Sequence, residues 1–372
     1  MATNDHPTDL LIIYYWQLTP ERGNAMELTA PRRAQSSNWL IKNRWLVLIG
    51  VIVVGAIVYA YATNDVVTTA VLASTLRQST PLILGALCGL IGERSGVVNI
   101  GIEGQMLMGA FVGFLANVYL GRTGLPVGLV LPLAALIGAL TGAAMGALLA
   151  FMAVTLKMDQ IIAGTVINIL AIGLTGYFYT PGLTTQGKFQ PIPLGPLAEI
   201  PLIGPVLFRN PPITYLAIIL VFVMHYVLFY TRWGLRTRAV GEHPSAADTV
   251  GINVYKIRYA NVILGGALAG LGGAFLSLEG VGTFERLMTN GRGFLALAIM
   301  IFGKWTPLGA WGAALLFGFT YALQTQLQFA GVDLPPQFIG SMPYILTILV
   351  LAGFVGRSRA PAASGVPYEK GG

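Results

Sequence analysis

Long apolar runs follow one another along almost the whole chain, and they constrain its fold more than any other feature. A helix needs about 20 consecutive apolar residues to cross a bilayer. Ten runs lie at residues 45–62, 71–91, 97–120, 126–156, 160–180, 213–231, 258–280, 293–303, 308–328 and 337–355. The sequence therefore predicts an all-α, polytopic transmembrane helical bundle with about ten membrane helices. Run 293–303 is too short for a straight span, so we expect it to be tilted, broken or re-entrant.

Composition agrees with a membrane protein and narrows the possible functions. Charged residues make up 10% of the 372 residues, whereas a soluble domain carries about 25%. The net charge is +7, but the basic residues gather at the ends of the apolar runs, so no nucleic-acid partner is expected. Cys88 is the single cysteine, which excludes an internal disulfide.

The distribution of Lys and Arg predicts how the bundle is oriented. If the N-terminus is inside and each run crosses once, sixteen of the 22 basic residues lie inside and six lie outside. Cytoplasmic loops are enriched in basic residues, so this count favours an N-in, C-in topology. We then expect cytoplasmic tails at 1–38 and 357–372, the first of them disordered, around a transmembrane domain at 39–356. That domain would carry an external loop at 181–212 and a cytoplasmic loop at 232–257.

Glycines spaced four residues apart predict close packing between the helices. They are Gly85 and Gly89, Gly109 and Gly113, Gly138, Gly142 and Gly146, and Gly266 and Gly270. Small residues at this spacing let helix backbones approach each other in lipid. A phosphate-binding role has no support, because no glycine motif follows a predicted strand.

A polar stretch at 233–253 interrupts the apolar runs and predicts a short helix. Pro244 suits the first helical position, where its missing N–H would have no partner anyway. Gly251 suits the residue just past the helix end, where a left-handed conformation is needed. A helix of about two turns is not stable alone in water, so it needs a surface to dock against. The stretch is either a docking helix for a soluble partner or a solvated loop with one turn.

A second polar stretch, at 92–111, places polar side chains at the start of an apolar run. These residues are Asn99, Glu103 and Gln105. A carboxylate inside a membrane is costly and usually faces the bundle interior or a water-filled path. Glu103 could form a structural ion pair or a helix-end hydrogen bond, contact a substrate path, or relay protons. The residues alone leave these roles open.

The sequence offers little support for catalysis. The three histidines lack the spacing of a metal site, and His225 is expected to pack inside an apolar run. Ser95 and Ser277 have no nearby histidine that could act as a base. No Gly-x-x-x-x-Gly-Lys-[Ser/Thr] motif for nucleotide binding occurs. We therefore expect no enzyme activity, no metal and no cofactor.

Three segments resemble permeases of ATP-binding-cassette (ABC) importers of the branched-chain amino acid, ribose and nucleoside group. Segment 235–253 resembles their coupling loop, and segment 291–309 is a further match. Segment 96–104, Gly-Val-Val-Asn-Ile-Gly-Ile-Glu-Gly, looks like a signature of the nucleoside and simple-sugar permeases. The resemblance covers about residues 40–356. Segment 158–160 departs from the pattern, with Met-Asp-Gln where relatives tend to have Asn-Glu, so no role is carried over to it.

The resemblance implies a permease subunit that couples to a separate ATPase and hydrolyses nothing itself. The coupling loop would insert its short helix into a groove of the cytoplasmic ATPase, where the small Ala246 and Ala247 permit close approach. The residues expected to couple to the ATPase are Gly241, Glu242, Pro244, Ala246, Ala247 and Gly251. The residues expected along the substrate path are Asn99, Glu103 and Gln105.

The resemblance also implies partners and a substrate class. The partners would be a cassette ATPase, a second permease subunit, an external binding protein or lipoprotein, and membrane lipid, in the plasma membrane of a bacterium. The substrates would be nucleosides or simple sugars. The main alternative is an ion- or proton-coupled secondary transporter in which Glu103 and Glu279 relay protons. The absence of duplicated broken-helix halves argues mildly against that alternative.

The charge count makes the topology testable by single-cysteine labelling in a background with Cys88 replaced. We expect Gln190→Cys to react with an impermeant thiol reagent from outside and Ser245→Cys to react only from inside, because of the basic-residue asymmetry. Labelling of both positions from the same side would contradict the ten-span topology.

Overall fold

The protein is almost entirely helical. The computed structural model describes residues 44–330, 335, 337–338, 340–342, 344–345, 348 and 359–370. The predicted N-terminal tail and most of the tenth predicted run lie outside the described residues. The described residues up to Tyr59 and those from Ala60 onward belong to two compact units. Helix α1, Arg44–Thr63, belongs mostly to the first unit.

The second unit consists mainly of helices. In chain order they are α2 Asp65–Glu93, α3 Ile102–Gly121, α4 Val127–Ala150, α5 Gln160–Phe178, α6 Ile203–Leu207, α7 Pro212–Tyr230, α8 Arg232–Glu242, α9 Pro244–Thr249, α10 Val254–Phe275, α11 Arg292–Phe302 and α12 Pro307–Phe329. Helices α4 and α10 continue into π-helical turns at Phe151–Thr155 and Leu276–Gly280. In the described residues, the region between α5 and α7 holds a short antiparallel pair of strands, β1 Ile192–Pro193 and β2 Arg209–Asn210.

The helices coincide with the apolar runs. Nine of the ten predicted runs match a helix, which confirms the all-α bundle. Among the described helices five, namely α3, α4, α5, α7 and α10, are long and apolar enough to cross a membrane. The count of ten spans and the N-in, C-in orientation therefore stay predictions. Helix α11 has only 11 residues, a length of about 16 Å, which is about half of the hydrocarbon core.

Glycines bring α3, α4 and α10 into backbone contact. A Cβ added at Gly142 on α4 would touch the carbonyl oxygen of Gly266 and lie 2.5 Å from the Cα atom of Gly270 on α10. A Cβ at Gly138 would lie 2.8 Å from the carbonyl oxygen of Gly109 on α3. The predicted role of this spacing is therefore confirmed, because no larger residue fits between these three helices.

The same contacts predict a stability effect that can be measured with a matched pair of variants on α4. We expect Gly142→Ala to lower the free energy of unfolding by about 1–3 kcal/mol, because the added methyl group forces neighbouring backbones apart. Gly128→Ala is the control, since a Cβ there meets nothing within 4 Å. The measurement is the thermal unfolding midpoint of the detergent-solubilised proteins. Equal midpoints for the two variants would contradict the packing described here.

Candidate functional site

The coupling segment, residues 232–253, forms two consecutive helices. Helix α8 begins after Thr231, whose Oγ1 accepts a hydrogen bond from the Gly234 backbone N–H at 3.3 Å. Pro244 occupies the start of α9, and Gly251, with φ +84°, adopts the left-handed conformation just beyond it. Asn253 then caps α10 through a hydrogen bond from the Lys256 N–H at 2.9 Å. The predicted short helix and both of its boundary residues are confirmed, whereas α8 was not predicted from the sequence.

Several of the residues expected to couple to the ATPase are exposed on this segment. Glu242, Ala246 and Gly251 are exposed and Pro244 is half-exposed. Val250, beside them, is 75% exposed, although a valine is ordinarily buried. The exposed face of α9 therefore carries a small apolar patch at its end.

Two residues expected at the ATPase groove lie inside the chain. Ala247 is buried in a cluster with Val240, Val254 and Tyr368. Gly241 is buried against the Arg94 backbone, where a Cβ would collide with the carbonyl oxygen. Contact of Ala247 with a partner therefore stays a prediction, and within this subunit its side chain packs inside the chain. A six-residue helix has to bury one face to be stable, and Ala247 lies on that face.

The segments that carried the resemblance meet at this end of the bundle. The Trp305 indole N–H donates to the Glu93 carboxylate at 2.6 Å, and Arg94 Nε donates to the Trp305 carbonyl oxygen at 2.9 Å. Partial burial lowers the pKa of Arg94, and the nearby Glu242 carboxylate opposes that shift. The loop between α2 and α3 is therefore tied both to the α11–α12 connection and to the coupling segment.

Glu103 accepts hydrogen bonds at the start of helix α11. Its two carboxylate oxygens accept from the Gly291 N–H at 2.8 Å and from the Gly293 N–H at 2.6 Å. The first N–H groups of a helix have no partner within the helix, and a carboxylate there is favoured by the helix dipole. Of the roles left open by the sequence, the structure places Glu103 in a helix-end hydrogen bond.

Asn99 and Gln105 lie on the other side of α3, inside the bundle. Asn99 Nδ2 donates to Gln105 Oε1 at 3.0 Å and to the Cys88 sulfur at 3.3 Å. Both side chains are fully buried among the described residues. On α3, Gln105 points away from Glu103 because residues two apart on a helix point in different directions.

Glu279 repeats the arrangement of Glu103 at a second helix. Its carboxylate accepts from the Ile213 N–H at 2.7 Å, from the Thr214 N–H at 3.1 Å and from the Thr214 hydroxyl at 2.6 Å. It therefore caps the N-terminus of α7 from the π-helical turn that follows α10. The sequence carried a signal for this role, because Glu279, like Glu103, is an isolated acid in an apolar run.

Comparison with known proteins identifies the family. The family described as branched-chain amino acid transport system / permease component matches residues 71–351. The guanosine ABC transporter permease protein NupQ of Bacillus subtilis (strain 168) is 43% identical over 80% of this chain and 96% of its own length.

Two further relatives match over a similar extent. The nucleoside ABC transporter permease protein NupC of Lactococcus lactis subsp. cremoris is 43% identical over 81% of this chain and 96% of its own length. The putative glucose ABC transporter permease protein TsgC13 of Haloferax volcanii is 36% identical over 77% and 92%, respectively. This chain therefore belongs to the branched-chain amino acid transport system permease family and is a multi-pass membrane permease subunit of an ABC importer.

Proposed function

We propose that this chain imports nucleosides across the plasma membrane of a bacterium. The observation that carries the proposal is the 43% identity to permeases named for guanosine and nucleoside transport, over nearly their whole length. The segment 96–104, which resembles the nucleoside and simple-sugar branch, supports the same substrate class. Simple sugars are the second candidate, because one relative is named as a putative glucose permease.

The importer would be assembled from several proteins. This chain would pair with a second permease subunit, receive substrate from an external binding protein or lipoprotein, and dock through α9 onto a cytoplasmic ATPase. In this arrangement both chain termini and the coupling segment lie inside, and the loop at 181–212 lies outside. The basic-residue asymmetry supports that orientation.

The residues of the coupling segment would divide into two roles. Glu242, Pro244, Ala246 and Gly251 would contact the ATPase, because they lie on the accessible face together with the exposed Val250. Gly241 and Ala247 would act indirectly: their small size lets the coupling segment pack closely against the rest of its own chain.

The residues proposed for the substrate path would act by stabilising the helices that line it. Glu103 would fix the start of α11 against α3, while Asn99 and Gln105 would tie α3 to α2 through Cys88. A proton relay is less compatible with this geometry, because protonation of Glu103 or Glu279 would disrupt hydrogen bonds to a helix terminus. Family membership likewise favours the importer over a secondary transporter.

The proposed function is tested by ATP-driven uptake in proteoliposomes that contain the complete transporter. We expect labelled guanosine to accumulate and excess glucose not to compete with it. Ala246→Trp should reduce uptake by about tenfold, equivalent to about 1.4 kcal/mol of coupling free energy, because the indole would prevent close docking of α9. Ala246→Ser is the matched control and should keep wild-type uptake. Wild-type vesicles that take up glucose but not guanosine would refute the nucleoside assignment.

The role of Glu103 is tested by combining uptake with thermal stability. We expect Glu103→Ala to destabilise the protein by about 1–3 kcal/mol for each N–H group left unpaired at α11, and to reduce uptake. Glu369→Ala, which removes an exposed ion pair with Lys157, should leave stability unchanged, because solvent screens such a pair. Unchanged stability and uptake in Glu103→Ala would show that α11 does not depend on this carboxylate.

A further inference from the structure

The C-terminal segment, residues 359–370, packs against the coupling segment of the same chain. The Ala363 N–H donates to the Gly241 carbonyl oxygen at 2.9 Å, and the Ala362 N–H donates to the Glu242 carboxylate at 3.2 Å. The Ala363 side chain is buried. From the sequence this region was expected to be only a cytoplasmic tail, so its contacts require a separate explanation.

Arg258 joins the C-terminal segment to two other parts of the bundle. This arginine, in the second turn of α10, is 1% exposed. Its Nη1 donates to the Val366 carbonyl oxygen at 2.9 Å and its Nε donates to the Ser95 carbonyl oxygen at 3.2 Å. A buried guanidinium needs such acceptors, because burying a charge without partners is costly. The C-terminal segment therefore supplies one of the acceptors for a cation that also holds the α2–α3 loop.

The Tyr368 side chain is buried beside helix α9 of the coupling segment. Its side chain is 6% exposed and packs with Val240, Ala247 and Val254, which belong to α8, α9 and α10 respectively. Its ring lies 5.5 Å from the ring of Tyr255. One aromatic side chain thus belongs to a buried cluster that α8, α9 and α10 share.

The phenol of Tyr368 also lies close to the Asp248 carboxylate of α9. Desolvation of the phenol, and second the nearby Asp248 carboxylate, raise the pKa of Tyr368.

We infer that the C-terminal segment is a positioning element of the coupling machinery, with Tyr368 as its central residue. It holds α9 against α8 and α10 and links it to the α2–α3 loop, so that a displacement of α9 is passed to α2 and α10 together. The inference rests on the proposed function for its transport readout. Helix α9 has only six residues, and a helix of that length depends on tertiary contacts for its order.

The structural part of the inference is tested by hydrogen exchange, which needs no substrate. In the purified full-length permease we expect Tyr368→Ala to speed amide exchange at residues 244–252 by about tenfold, equivalent to about 1.4 kcal/mol, since local opening follows the loss of buried contacts. Amides of α3 should be unaffected. Tyr368→Phe, which keeps the ring, and Glu369→Ala, which removes only an exposed ion pair, should stay close to wild type.

The functional part is tested by the number of substrate molecules moved per ATP hydrolysed in the reconstituted transporter. We expect Tyr368→Ala to lower this ratio about tenfold while the ATPase still co-purifies, and Tyr368→Phe to keep the wild-type ratio.

If Tyr368→Ala does not accumulate in the membrane, Tyr368→Leu, which fills part of the same space, gives the comparison. The inference is overturned if amide exchange at residues 244–252 stays at the wild-type rate in the Ala or Leu variant. It is also overturned if that exchange becomes faster while the number of substrate molecules moved per ATP is unchanged. Failure of wild-type uptake would instead count against the proposed function.

Discussion

Buried helix ends set the central requirement of this structure, because their first N–H groups have no partner within the helix and must be paired where water is excluded. Two carboxylates meet it. Glu103 accepts from the N–H groups at the start of α11, and Glu279 does the same for α7. Each carboxylate pairs N–H groups that would otherwise be buried without a partner. In return, the positive end of the helix dipole stabilises the buried negative charge of the carboxylate. The pairing therefore fixes α11 to α3, and α7 to the end of α10.

The two helices that carry these carboxylates belong to the most closely packed part of the bundle. Helices α3 and α10 meet α4 through glycines whose missing side chains allow backbone contact, as at Gly109, Gly142 and Gly270. A rigid group of three helices can thus hold two further helices by their ends. For a transporter that must alternate between two states, such a group offers a frame against which other elements can move.

The structure connects helix α9 of the coupling segment to the bundle indirectly. Helix α9 reaches the α2–α3 loop through Gly241, which packs on Arg94, and through the C-terminal segment, which bonds to Gly241 and to Arg258. Trp305 ties the same loop to the α11–α12 connection. Force applied to the exposed face of α9 would thus act on several membrane helices rather than on its two covalent neighbours alone.

The sequence by itself determined the helical class, the positions of nine apolar helices, the glycine contacts and the boundaries of α9. These features follow from local composition and from the conformational preferences of single residues such as Pro244 and Gly251. Only the tertiary structure decided that Glu103 caps α11, that Ala247 faces Tyr368, and that Arg258 needs the C-terminal segment. The partners in these contacts lie far apart along the chain, and no periodic pattern marks them. Their pairing depends on how the helices pack in three dimensions, which a local pattern does not specify.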